Sequence, residues 1–163
     1  MANPTVQRRL AAVLAADVAA YSRLMGVDEE GTLARLTAIS VGLVGPLIAG
    51  HRGRMVKTTG DGMLVEFASV VDAVRCAVEL QRGMLARNAE VPIDQQILYR
   101  VGITVGDILI QDGDIFGDAV NVASRLSHVA VKGQIITSRE TVMMMSPMLK
   151  SATRKISQIA VKG

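Results

Sequence analysis

The stretch Val56-Lys57-Thr58-Thr59-Gly60-Asp61-Gly62-Met63-Leu64-Val65-Glu66-Phe67 sets two runs able to form strands on either side of a turn in which glycines flank an aspartate. Asp-Gly is a strong hairpin signal, because glycine accepts positive φ without a Cβ clash. Taken alone, the stretch reads as a β-hairpin with an exposed aspartate at its tip, as most Asp-Gly pairs are. A chemical role for Asp61 needs a second carboxylate from elsewhere in the chain. It also needs a cation such as Lys57 close by to read a ligand.

Upstream, Leu10 to Val18 is a short continuous apolar run that suits a strand buried on both faces and ends at Asp17. A buried strand-end aspartate is costly without a cation partner, which points to a metal or a capping role. Asp28-Glu29-Glu30 opens a helical pattern with Leu33, Leu36, Leu43 and Leu47 on one face and Gly50 as its stop. Gly45 to Gly50 has the glycine spacing of a phosphate loop, but His51-Arg52 follows where a Lys-Ser/Thr pair is required.

Downstream of the hairpin, Ser69 to Asp72 forms a capping box for a helix from Val70 to about Asn88, with Cys76 packed inside it. Gln96 to Ile110 reads as a long strand in which Gly102 and Gly106 mark a bend or a close backbone approach. Gln111 to Asp114 is a turn. Phe116 to Leu126 then carries helical periodicity, with Val120, Ala123, Leu126 and Ser127 inward and Asn121 and Arg125 sharing one face. Gly133 to Ser138 is a short strand, Arg139 to about Lys150 a helix whose methionines pack as core, and Thr153 to Lys162 a last strand. The order β-α-β-β-α-β, followed by further helix and strand, is the split βαβ or ferredoxin-like arrangement of an α+β fold.

Composition narrows the function. The 163 residues are long enough for one domain with a real core, half are hydrophobic, and the net charge is only +3. Aromatic residues are few and basic residues dispersed, which argues against a nucleic-acid partner. Cys76 is the only cysteine, so there is neither a disulfide framework nor a thiolate metal cluster, and a cytoplasmic location is expected. His51 and His128 have no ligand-spaced neighbours and read as structural or surface residues. The uncharged run Leu36 to Gly50 is too short for a membrane span, and Asp17 interrupts the apolar run after Arg8-Arg9 that superficially resembles an export leader.

Asp17, Lys57 with Asp61, and Asp114 with Asn121 and Arg125 call for one joint explanation. Two carboxylates suit hard cations that bridge phosphates. Arginine and asparagine suit a developing phosphoryl charge, and Lys57 with Asp114 offers a donor and an acceptor for a purine edge.

Together the motifs Leu14-Ala15-Ala16-Asp17-Val18-Ala19-Ala20-Tyr21, Lys57-Thr58-Thr59-Gly60-Asp61-Gly62 and Asp114-Ile115-Phe116-Gly117-Asp118-Ala119-Val120-Asn121 running on to Arg125 resemble a class III nucleotidyl cyclase catalytic domain, over nearly the whole chain. The resemblance implies that Asp17 and Asp61 hold two divalent cations, Mg²⁺ or Mn²⁺, and that the backbone of Val18, Ala19, Ala20 and Tyr21 cradles phosphates. It implies adenine recognition by Lys57 and Asp114, ribose orientation by Asn121, transition-state stabilisation by Arg125, and a phosphate contact from Lys162. Guanylyl members typically carry Glu and Cys-like residues at the two base-reading positions, so ATP is the implied substrate and cyclic AMP with pyrophosphate the products. The family's shared sites imply a homodimer, and residues 1–163 are expected to be a single cyclase catalytic domain that lacks the family's final return strand. A catalytically idle, nucleotide-binding regulatory domain is the alternative. A diguanylate cyclase is excluded by the lack of a Gly-Gly-Asp/Glu-Glu-Phe stretch.

Overall fold

A computed structural model describes residues 6–154. The apolar run upstream of the hairpin becomes a twelve-residue strand, β1 (Gln7–Val18), buried on both faces from Ala11 onward. The hairpin follows as β2 (Arg54–Thr58) and β3 (Gly62–Phe67), and the long glycine-containing strand as β4 (Tyr99–Gln111). Their order in the sheet is β2-β3-β1-β4, antiparallel throughout, which is the ferredoxin-like core expected of a βαββαβ chain. The outer edge of β4 carries two short strands, β5 (Asp114–Phe116) antiparallel to it and β6 (Ile135–Thr137) parallel to it.

Alternation along β1 divides the core between the two faces of the sheet. Ala12, Leu14, Ala16 and Val18 face a layer formed by α1 (Tyr21–Val27), α2 (Glu29–Ile39), α3 (Gly45–Gly50) and α4 (Val70–Asn88). Ala11, Val13 and Ala15 face the other side, where Ala119 and Ala123 of α5 (Asp118–Val129) pack. Asp17 follows the odd parity and so lies on the α5 side. The expected close approach is real at Gly102, where a Cβ would overlap the Ala123 carbonyl oxygen and come within 2.6 Å of the Ser127 amide nitrogen.

Four local expectations need correction. The Thr59–Gly62 turn uses no positive φ at either glycine; among the described glycines only Gly113, Gly117 and Gly133 have it. Gly62 is favoured instead by crowding, since a Cβ there would sit 3.0 Å from both the Ala16 carbonyl oxygen and Thr59 Oγ1. The positive-φ Asp-Gly turn is Asp112-Gly113 (φ 53° and 79°), a two-residue hairpin loop joining β4 to β5, so that Asp114 begins a strand.

The long helix carries a π turn, Ser40–Val44, between α2 and α3. The extra residue keeps Ile39, Val44 and Ile48 on one buried line; of the expected face, Leu36, Leu43 and Leu47 pack partly buried against the core, while Leu33 is exposed. Pro46 sits in the first turn of α3, where its missing N–H costs nothing, so the helical run continues through it. By length and composition Glu29–Gly50 could cross a membrane, but four of its residues are buried in the fold.

The methionine-rich helix is two short ones, α6 (Arg139–Met143) and α7 (Pro147–Ser151), because Pro147 can only start a helix. Met145 is buried while Met143, Met144 and Met148 are exposed, so most of these side chains are not core. The strand expected over Thr153–Lys162 falls almost wholly outside the described residues, and Lys162 with it.

Candidate functional site

Asp17, next to last in β1, lies directly opposite Gly62, and the Val18 amide donates to the Asp61 carbonyl at 2.7 Å. The strand pairing therefore sets Asp61 beside Asp17, as their joint reading requires. Only 5% of Asp17 is exposed, and its cation partner is Arg100, the residue across the ladder on β4. Arg100 Nε donates to Asp17 Oδ1 at 2.6 Å. The His128 ring lies 3.4 Å from Oδ2, a placement that spacing alone did not show, yet Oδ2 is buried without a hydrogen-bond partner.

An orphaned anionic oxygen beneath the turn that carries Asp61 is the donor chemistry a hard divalent cation takes. Among the described residues no three His, Cys, Asp or Glu side chains gather into a metal-holding group. Asp17 and Asp61 would be the side-chain share of such a site, and the ion would complete its shell with water and phosphate oxygens. The residues fit the group.

Of the four residues expected to cradle phosphates, two have their amides committed. Val18 N donates to Asp61 O and Ala19 N to Leu98 O. The amides of Ala20 and Tyr21, at the start of α1, have no acceptor among the described residues. Ala20 adopts φ 56° and ψ 36°, a left-handed conformation that costs a residue with a Cβ about 1 kcal/mol.

Lys57 and Asp114 meet. Their Nζ and Oδ2 are 3.2 Å apart, although β2 and β5 lie at opposite ends of the strand order. The Ile115 amide donates to Asp114 Oδ1 at 2.8 Å and, ahead of Lys57, holds that carboxyl below its ordinary value. Lys57 is aimed by a β-bulge: Arg54 pairs with Glu66 and Met55 with Val65, but Lys57 pairs with Leu64, leaving Val56 as the extra residue. Without it Lys57 would point to the other face of the sheet.

Asn121 and Arg125 lie on α5, whose buried face is Ala119, Ala123, Leu126 and Ser127. Asn121 is exposed and Arg125 half-buried, and neither side chain has a hydrogen-bond partner among the described residues. The chain thus presents Asp17 with Asp61 near one end of β1, the Lys57–Asp114 pair, and two free polar side chains on α5.

Residues 8–163 match the family model of the adenylate and guanylate cyclase catalytic domain. The chain belongs to that family. This cyclase domain is 49% identical over 138 residues to a Rhizobium meliloti (strain 1021) protein provisionally named adenylate cyclase 3, covering 85% of the chain and 24% of that protein. It is 36% identical over 131 residues to an adenylate cyclase of Streptomyces coelicolor, covering 80% of the chain and 32% of that protein. The cyclase domain therefore spans between about a quarter and a third of the length of these two curated relatives. Among solved structures it superposes on an adenylate/guanylate cyclase/hydrolase from Silicibacter pomeroyi with a TM-score of 0.78 and 48% identity, over 84% of this chain and 79% of that one.

Sequence reasoning passed over Arg100, Arg54 and Glu66. Arg100 could have been found by asking which residue faces Asp17 across the ladder, but that needs the register. The buried Glu66 gives no sign in sequence, because it stands in a strand between Val65 and Phe67 as an ordinary outward-facing residue would.

Proposed function

We propose that this cyclase domain is an adenylyl cyclase, converting ATP to 3′,5′-cyclic AMP and pyrophosphate in a homodimer with two shared sites. The observation that carries the substrate assignment is the Lys57–Asp114 pair, a donor and an acceptor side by side at 3.2 Å. Adenine offers an acceptor at N1 and a donor at its 6-amino group, which that pair complements. Guanine reverses the polarity at both atoms, so donor would face donor and acceptor face acceptor.

Asp17 and Asp61 would hold the cations through their carboxylates. Two divalent cations bound there would lower the pKa of the ribose 3′-hydroxyl and neutralise phosphate charge. The free amides of Ala20 and Tyr21 donate to phosphate oxygens, and Lys162 adds a cation to them. Asn121 orients the ribose, and Arg125 donates to the α-phosphoryl oxygens as charge develops there. The 3′-hydroxyl gives its proton to water as its oxygen bonds to the α-phosphorus, the bond from that phosphorus to the α,β-bridging oxygen breaks, and pyrophosphate leaves with that electron pair. Among the described residues neither the Asn121 nor the Arg125 side chain has a partner, which supports a site completed by the carboxylates of a second copy.

Purified protein with ATP and Mn²⁺ or Mg²⁺ is expected to release cyclic AMP, and Asp17→Ala or Asp61→Ala to abolish it. Lys57→Glu with Asp114→Cys is expected to move preference toward GTP. ATP binding without turnover in a folded dimer would identify an idle regulatory domain instead.

A further inference from the structure

The base-reading pair is held by residues that do not touch the base. Glu66 is only 5% exposed, yet it is a carboxylate, and two arginines grip it from the neighbouring strands. Arg9 Nε donates to Oε2 at 2.7 Å, and Arg54 Nε to Oε1 at 3.0 Å. Arg54 has a further donor left, and its Nη1 reaches the Gly113 carbonyl oxygen at 2.8 Å. Gly113 is the second residue of the Asp112-Gly113 loop and immediately precedes Asp114.

The bulge at Val56 ties the two contacts together. Arg54 faces Glu66 and Lys57 faces Leu64, so both side chains leave β2 on the same side. Arg54 then holds the loop backbone while Lys57 meets the first residue after it. A loop tip free to move would let Asp114 drift relative to Lys57, and the spacing of donor and acceptor is what distinguishes adenine.

We propose that Arg54, fixed by Glu66, is a positioning residue that sets purine selectivity by seating the β4–β5 loop against Lys57. This rests on Lys57 and Asp114 reading the base. Arg54 touches no substrate; it acts through Gly113 and Asp114.

The test is steady-state kinetics with ATP and with GTP on the full chain with Mn²⁺, for the wild type, Arg54→Ala, Arg54→Lys, Glu66→Gln and Lys57→Ala, with thermal melts of each. In Arg54→Ala the KM for ATP is expected to rise about tenfold and the ATP:GTP ratio of kcat/KM to fall by a similar factor, as for one lost charge-assisted hydrogen bond, while kcat changes little. Glu66→Gln is expected to move the same way. Lysine can reach one of the two acceptors but not both, so Arg54→Lys is expected to fall between. A folded Arg54→Ala or Arg54→Lys protein with wild-type KM and selectivity, or with kcat lost and KM kept, would overturn the proposal. If Lys57→Ala keeps wild-type selectivity, the base-reading assignment itself fails and this inference with it. If Lys57→Ala loses selectivity and the Arg54 variants do not, only this inference fails.

Discussion

Asp114 shows how one side chain is tuned by its neighbours. The Ile115 amide is the leading cause of its lowered pKa, with Lys57 and Arg54 behind it and partial burial opposing them. The folded value lies below the unfolded one, so the carboxylate's contribution is fully present above the ordinary aspartate range and is lost as pH falls through the lowered value. An NMR titration of the side-chain carbon is expected to give an Asp114 pKa below the ordinary value. In Lys57→Ala it should rise yet stay below that value, because the Ile115 N–H remains; a return to the ordinary value would show that Lys57 dominates. Asp17, Asp61, Lys57, Asp114, Asn121 and Arg125 could all be picked out as candidates from the motifs. Arg100 and Glu66 could not, because each matters through a partner on another strand.

At the scale of elements, α5 lies so close to β4 that only glycine fits at position 102. Gly102→Ala would push α5 outward, and the overpacking is expected to cost about 2 kcal/mol of stability in urea denaturation. Asn121 and Arg125 ride on the same helix, so cyclase activity should fall by more than the folded fraction does. A stable, fully active Gly102→Ala protein would show that α5 tolerates the shift. The element boundaries mostly followed apolar periodicity and caps, as at α4, where Ser69 Oγ accepts from the Asp72 amide. Periodicity missed the π turn at Ser40–Val44, since one extra residue rotates a helix without changing its composition. It also ran through Pro147, where the chain starts a new helix.

At the scale of the whole molecule, the candidate residues stand in separate groups. Lys57 stands across β2–β3 from Leu64, which stands across β3–β1 from Ala15, so about two strand spacings, roughly 10 Å, separate it from β1. One ribbon thus carries Asp61 at its tip and Lys57 along one arm, aimed at Asp114 rather than at Asp17. If each site draws on two chains, Asp17→Ala and Arg125→Ala proteins, each inactive alone, should complement when mixed. Random pairing puts about half of the dimers in the mixed form with one intact site each, so activity should recover to roughly a quarter of wild type. No recovery from subunits shown to exchange would argue for sites built within one chain.

The sequence by itself determined what is local: strands from runs of apolar residues, helices from period and caps, and the candidate residues of the site from motifs of fixed spacing. Only the tertiary structure decided which charges meet. Arg100 faces Asp17 because of the β1–β4 register, and Arg54 reaches Gly113 because a bulge turns β2. The hairpin from Val56 to Phe67 was legible, but its glycines serve a crowded packing rather than a positive φ. The physical reason is common to all three: turn chemistry and periodicity act within a few residues, whereas register, crowding and charge pairing arise only when distant segments are packed together.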